Sequence, residues 1–162
     1  MLPQIRKILY ATDLSPNARY AFGYAVSLAE RYGAMITILH VVEEVPEGAK
    51  GFVYGVIGED RWEELKHGKE VEVLETIKTR LLEFCGDVSE ELPSCRSCVE
   101  EISTKIGYPV NEILTMMETG EFDILVIGSH GHGMIADTMI GSTARRIVRR
   151  CTKPVLVIRL PE

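Results

Sequence analysis

Phe122-Asp123-Ile124-Leu125-Val126-Ile127 leads directly into Gly128-Ser129-His130-Gly131-His132-Gly133-Met134-Ile135-Ala136-Asp137-Thr138-Met139-Ile140-Gly141-Ser142-Thr143. Residues 122–127 read as a buried strand, and residues 128–133 as a glycine-rich turn. A helix follows from about Ser142 to Cys151, with Ala144, Ile147, Val148 and Cys151 expected on one face. Pro154 stops it, and Val155-Leu156-Val157-Ile158 makes a closing strand. A strand, a glycine loop, a helix and a second strand form a βαβ unit, which calls for a parallel sheet.

The same alternation extends back to the N-terminus. Lys7-Ile8-Leu9-Tyr10-Ala11-Thr12 reads as a first strand ending at Asp13, and Ser15-Pro16 as a helix start with a capping hydroxyl. Ala18, Ala21, Phe22, Ala25, Leu28, Ala29 and Tyr32 then recur at helical spacing up to Gly33. Met35 to Val42 is nearly continuous apolar sequence, suited to a strand covered on both faces. Residues 43–58 alternate glycines with Phe52, Val53, Tyr54, Val56 and Ile57 and read as a flap or partner-facing loop. A second helix carries Trp62, Leu65, Leu74, Ile77, Leu81 and Phe84 and ends near Gly86. Val99–Thr104 is a third strand, and Gly107-Tyr108-Pro109 opens a helix that buries Val110, Ile113, Leu114 and Met117.

Five strands alternating with helices predict an α/β fold, an open five-stranded parallel sheet of order 3-2-1-4-5 with helices on both faces. In that Rossmann-like winding the ligand crevice lies where the order reverses, beyond the C-terminal ends of strands 1 and 4. Asp13 and the glycine loop are both placed there. Glycines let the backbone turn N–H groups toward one anion, and Gly141-Ser142-Thr143 at a helix start adds the positive end of the helix dipole. Two phosphate-receptive elements in one loop suit a di- or triphosphate. The loop is no Walker A element, because no lysine precedes Ser142. Nor does it match the dinucleotide fingerprint, whose place on the first strand–helix turn is taken by Asp13-Leu14-Ser15-Pro16.

Gly128-x-x-Gly131, nine residues, then Gly141-Ser142 resembles the G-x2-G-x9-G-[ST] motif of the universal stress protein family, in its ATP-binding branch. Ile8-Leu9-Tyr10-Ala11-Thr12-Asp13, His40-Val41-Val42 and Lys153-Pro154-Val155-Leu156-Val157 resemble that family too. The resemblance spans nearly the whole chain and implies a single domain over residues 1–162. It implies that Asp13 reaches the ribose or a phosphate-bound metal, and that Thr12 and the Val41 backbone flank the adenine. Ile127 and Gly128 would line the ribose and first phosphate. Gly131, Gly141, Ser142 and Thr143 would hold the phosphates, with Mg²⁺ bridging them. Homodimerisation through the last strand, Val155 to Arg159, is implied as well.

Other features have plainer readings. His40 in its apolar strand reads as a satisfied core residue, and His130 and His132 as loop positions rather than acid–base groups. The arginines at 145, 146, 149 and 150 lie opposite the apolar face of their helix. Cys95-Arg-Ser-Cys98 has the spacing of a redox pair or half a zinc site, but no second ligand pair completes a zinc set, so a local structural role is expected. A net charge of −6 argues against nucleic acid as the main partner. With no long apolar run and no signal-peptide pattern, a cytoplasmic protein without a membrane span is expected. These readings lead to an ATP-binding regulatory or stress-response protein. The alternatives are a slow ATPase or phosphotransferase, which the lack of lysine or arginine within the loop disfavours, and a nucleotide-independent scaffold binding a protein partner through residues 43–58.

Overall fold

A computed structural model describes residues 2–15, 18–44, 47–87, 90–91, 93–130 and 140–159. In chain order the elements are β1 (Lys7–Thr12), α1 (Ala18–Tyr32), β2 (Met35–Glu43), α2 (Glu47–Ile57), α3 (Glu59–Asp87), β3 (Val99–Gly107), α4 (Pro109–Thr119), β4 (Ile124–Gly128), α5 (Ser142–Arg150) and β5 (Val155–Ile158). All neighbouring strands pair in parallel, in the order β3-β2-β1-β4-β5. This is the predicted doubly wound order.

Side chains alternate across each strand and divide the core in two. Ile8, Tyr10, Ile36, Ile38 and Val126 face α1 and α3, meeting Phe22, Val26, Ile77 and Phe84. Leu9, Leu39, Val41, Leu125 and Ile127 face α4 and α5, meeting Val110, Ile113, Met117 and Ile147. The expected burial on α4 is met in full. On α5 only Ala144 and Ile147 are buried and Cys151 is half-buried, whereas Val148 is exposed. The buried stripe of α5 is therefore narrower than that of α4, where the consecutive Ile113 and Leu114 are both buried. Tyr32 at the end of α1 is likewise exposed.

Three boundaries differ from expectation. Pro16 lies outside the described residues, and the Ser15 hydroxyl makes no hydrogen bond among them; instead the Ser15 carbonyl accepts from Ala18 N–H at 3.0 Å. β3 runs three residues further, to Gly107. Most of the expected loop at 43–58 is the helix α2, despite Gly48, Gly51 and Gly55, each of which weakens a helix by about 1 kcal/mol relative to Ala. Lys50 spans Glu44 at 2.8 Å and Glu47 at 2.5 Å. Tyr54 packs edge-on to Trp62 across the α2–α3 junction. Gly58 makes that junction at φ +83°, where a side chain would be strained, and its N–H bonds back to the Tyr54 carbonyl.

No residue of α2 is buried, and Phe52 and Val56 are 77% and 66% exposed. In α3 the buried residues are Val73, Ile77, Phe84 and Cys85, from its midpoint onward, so Trp62 and Leu65, carried by the same helix, are not core. Two substitutions separate body from projection. Leu9→Ala, at 0% exposure, is expected to lower unfolding free energy by about 2–5 kcal/mol in urea titration. Phe52→Ala should change it by less than about 0.5 kcal/mol.

Candidate functional site, a crevice at the sheet's switch point

β1 ends at Thr12, and the turn after it is wound tightly. The Thr12 hydroxyl oxygen accepts from Leu14 N–H at 3.1 Å, and Asp13 Oδ1 accepts from Ser15 N–H at 3.0 Å. Between them Leu14 takes φ 62°, a left-handed conformation that a leucine holds only when its surroundings impose it. The Arg80 guanidinium, from α3, donates to the Leu14 carbonyl and fastens the turn from outside. On the neighbouring strand His40 Nδ1 lies 2.7 Å from the Thr12 carbonyl. A carbonyl only accepts, so Nδ1 carries the proton; His40 is satisfied at that atom as expected, but it is half-buried and faces the crevice instead of the core.

Across the reversal point, β4 runs out at Gly128. Ser129 N–H donates to the Ile158 carbonyl at 2.7 Å, and Gly141 N–H to the Ser129 carbonyl at 2.6 Å. The two ends of the glycine-rich segment are thereby held together, with residues 131–139, Gly131 among them, outside the described residues. Gly141 is the N-cap of α5 and has no side chain with which to accept from the first-turn N–H groups. A β-carbon there would lie 3.2 Å from the Ser129 carbonyl and 3.3 Å from His130 Cα. A side chain there would press on two backbones, which would have to give by a few tenths of an ångström to admit it.

A crevice of about 780 Å³ opens between these two sets of loops. Thr12, Asp13, Val41, Ile127, Gly128, Gly141, Ser142 and Thr143, eight of the nine expected site residues, all line it. The size is within the usual range for ligand sites, about 300–1,000 Å³. His130, read as a loop position, lines it too, and its Nδ1 is 2.9 Å from Ser129 Oγ.

Sequence reading missed the wall contributed by α3. Lys69, Val73 and Arg80 line the crevice. At 100° per residue the three fall within about 40° of one another around the helix, on a single stripe. Two cations thus face a crevice whose other charged side chains, among the described residues, are Asp13 and Glu43, while the positive end of the α5 dipole adds to them. The only signal in the sequence was this spacing, hidden in a helix of mixed charge.

The cysteines also depart from expectation. Cys95 is bonded to Cys85, not to Cys98, with Cα atoms 5.5 Å apart. That removes it from any zinc set, and among the described residues no cluster of three or more His, Cys, Asp or Glu is placed to hold a metal ion. No helix of the described residues is long and apolar enough to cross a membrane.

An open parallel sheet of order 3-2-1-4-5, with a glycine loop and a helix N-terminus at its reversal point, defines a Rossmann-like α/β protein with one switch-point crevice. The chain belongs to the universal stress protein family, whose model (Usp, universal stress protein family) matches residues 4–159. It is 27% identical over 158 residues to universal stress protein MJ0577 of Methanocaldococcus jannaschii, covering 95% of this chain and 94% of that one. Among solved structures, universal stress protein UspA from Lactobacillus plantarum superposes with a TM-score of 0.71 at 22% identity, covering 98% of this chain and all of the other. A universal stress protein in complex with cAMP has a TM-score of 0.57 at 17% identity, covering 97% of this chain and 98% of that one. One from Archaeoglobus fulgidus in complex with dAMP has 0.52 at 15%, covering 99% and 100%.

The steric demand at Gly141 is directly testable. Gly141→Ala is expected to lower stability by about 1–3 kcal/mol through overpacking. Gly51→Ala, where an added β-carbon meets nothing within 4 Å, should raise it by up to about 1 kcal/mol. Urea unfolding of the two variants checks both signs.

Proposed function

We propose that this chain is a single universal stress protein domain that binds ATP with Mg²⁺ in the switch-point crevice and works as a nucleotide-dependent regulatory switch. The observation that carries the reading is the convergence, from three separate strand ends and one helix start, of eight residues that the family resemblance names for this ligand. The complexes of two structural neighbours with cAMP and dAMP support an adenine nucleotide as the class of ligand.

In this reading Thr12 and the Val41 backbone flank the base, and Ile127 and Gly128 line the ribose and first phosphate. Gly131, Gly141, Ser142 and Thr143 receive the remaining phosphates at the N-terminus of α5, where N–H donors and the helix dipole favour anions. The fit is supported by the donor set: a helix start with a glycine cap and two hydroxyl residues accepts phosphate oxygens but not a bare cation. Mg²⁺ would then be held chiefly by the phosphates, with the Asp13 carboxylate alongside. β5 is a sheet edge with Val155, Leu156 and Val157 only half-buried, which supports pairing of Val155 to Arg159 with a second copy. The exposed Phe52 and Val56 of α2 are where a protein partner would read the state of the switch.

A slow ATPase or phosphotransferase stays as the second reading because of one finding. Lys69 and Arg80 supply the cations that the loop itself lacks, and compensating cations are what phosphoryl transfer needs.

Isothermal titration with ATP and Mg²⁺, on wild type and on Gly131→Trp, tests the proposal. Micromolar binding weakened at least tenfold in the variant, about 1.4 kcal/mol or more, is the expected result. No binding to folded protein freed of copurified nucleotide would remove ATP from the account. Turnover of many cycles per minute, lost in Arg80→Gln, would favour the enzyme over the switch.

A further inference from the structure

Three of the four cysteines meet where the C-terminus of α3 approaches the start of β3, and nucleotide binding uses none of them. Cys85 is in the last turn of α3, Cys95 and Cys98 just before β3, and all three are buried. The Cys85–Cys95 bond fastens the helix end to the strand. The Cys98 thiol donates to the Cys95 carbonyl at 3.0 Å, and Cys98 N–H donates to the Ser94 carbonyl at 3.0 Å. A turn closed by an i to i−4 bond sets residues three apart at a Cα separation of about 5 Å, within the range a disulfide spans.

We propose that Cys85, Cys95 and Cys98 form a thiol–disulfide exchange centre, with Cys95 as the shared sulfur, that fastens or frees the C-terminal end of α3. In the exchange the Cys98 thiolate attacks Cys95 Sγ. The Cys95–Cys98 bond forms, the Cys85–Cys95 bond breaks, and Cys85 leaves as a thiolate that takes up the proton Cys98 gave up. Nothing is oxidised or reduced overall, so no external oxidant or reductant enters, and the burial of the bond is no obstacle to a neighbour already inside. Burial, with a smaller contribution from the Glu30 carboxylate, holds the Cys98 thiol above its ordinary range, so the attacking thiolate is scarce near neutral pH and exchange speeds up as the pH rises. After exchange the end of α3 keeps only non-covalent ties, such as the edge-on contact of Phe84 with Phe22 and the Arg19–Asp87 ion pair.

The sequence supplies its own assay. Trypsin cleaves after Arg80, Arg96 and Lys105, so Cys85 and Cys95 share the peptide 81–96 while Cys98 is alone on 97–105. Wild-type protein is equilibrated at mildly alkaline pH with a trace of reduced glutathione, quenched in acid, alkylated and mapped by tandem mass spectrometry. Two products are expected: a looped 81–96 peptide with alkylated Cys98, and 81–96 joined to 97–105 with alkylated Cys85. Cys98→Ser should yield the loop alone, and Cys85→Ser treated with oxidised glutathione should yield the joined peptides. A wild-type map holding only the loop would overturn the exchange, and joined peptides bearing alkylated Cys95 would overturn the shared sulfur. Hydrogen exchange is expected to show protection of residues 73–84 at least tenfold lower in oxidised Cys85→Ser than in Cys98→Ser. Equal protection would overturn the fastening role. None of these readouts depends on a nucleotide.

Discussion

β1 lies between β2 and β4, so its two neighbours come from opposite directions of the chain. Ile8 sits opposite Ile36 on one side and Ile124 on the other, and that double register is what the remaining structure depends on. The crossover to β2 puts α1 on one face; the return to β4 and onward to β5 puts α4 and α5 on the other, as right-handed connections require. The loops after β1 and β4 therefore diverge and leave a gap no side chain of the core fills. At the opposite end the Asp123 carboxylate accepts from the N–H groups of Arg6 and Lys7 at 2.7 and 2.9 Å, tying the entry of β4 to that of β1. A slip of one residue would turn Leu9 and Leu125 toward the wrong layer and separate Asp13 from Gly128.

The crevice is thus a by-product of topology that the local sequence then equips. One wall is a strained turn held by Thr12, Asp13 and Arg80; the other is two backbone segments touching at Gly141. Each wall rests on the core, the first through Leu14 and the second through Ile127 and Ala144. Each is held by hydrogen bonds to main-chain groups, so its geometry is set more sharply than hydrophobic packing would set it.

What could be read from the sequence follows the same division. β1, β2, β4, β5, α1 and α4 were legible because their apolar spacing reports real burial on one or both faces. The site was legible where it is local, in the spacing from Gly128 to Ser142 and in Asp13 at a strand end. α2 was not, because its glycines lower helix propensity and its apolar residues face no core. The N-terminal half of α3 was legible as helix through Trp62 and Leu65, but it buries nothing. Lys69 and Arg80 reach the crevice from an element remote in sequence, through tertiary packing alone. The pairing of Cys85 with Cys95 was hidden by the nearer Cys95-x-x-Cys98 spacing, since spacing does not determine connectivity.

α3 has one further consequence, and it is mechanical. Its 29 residues make a rod about 44 Å long, seated on the sheet only by its C-terminal half. Beyond Val73, its first buried residue, the rod projects about 21 Å to Glu59, so a tilt of about 5° about Val73 would carry the far end through about 2 Å. α2 is attached at that far end, and Lys69 and Arg80 lie along the shaft. Any tilt of α3 imposed from the crevice would therefore be carried to an apolar surface outside the body of the fold, with the buried residues of α3 as its support.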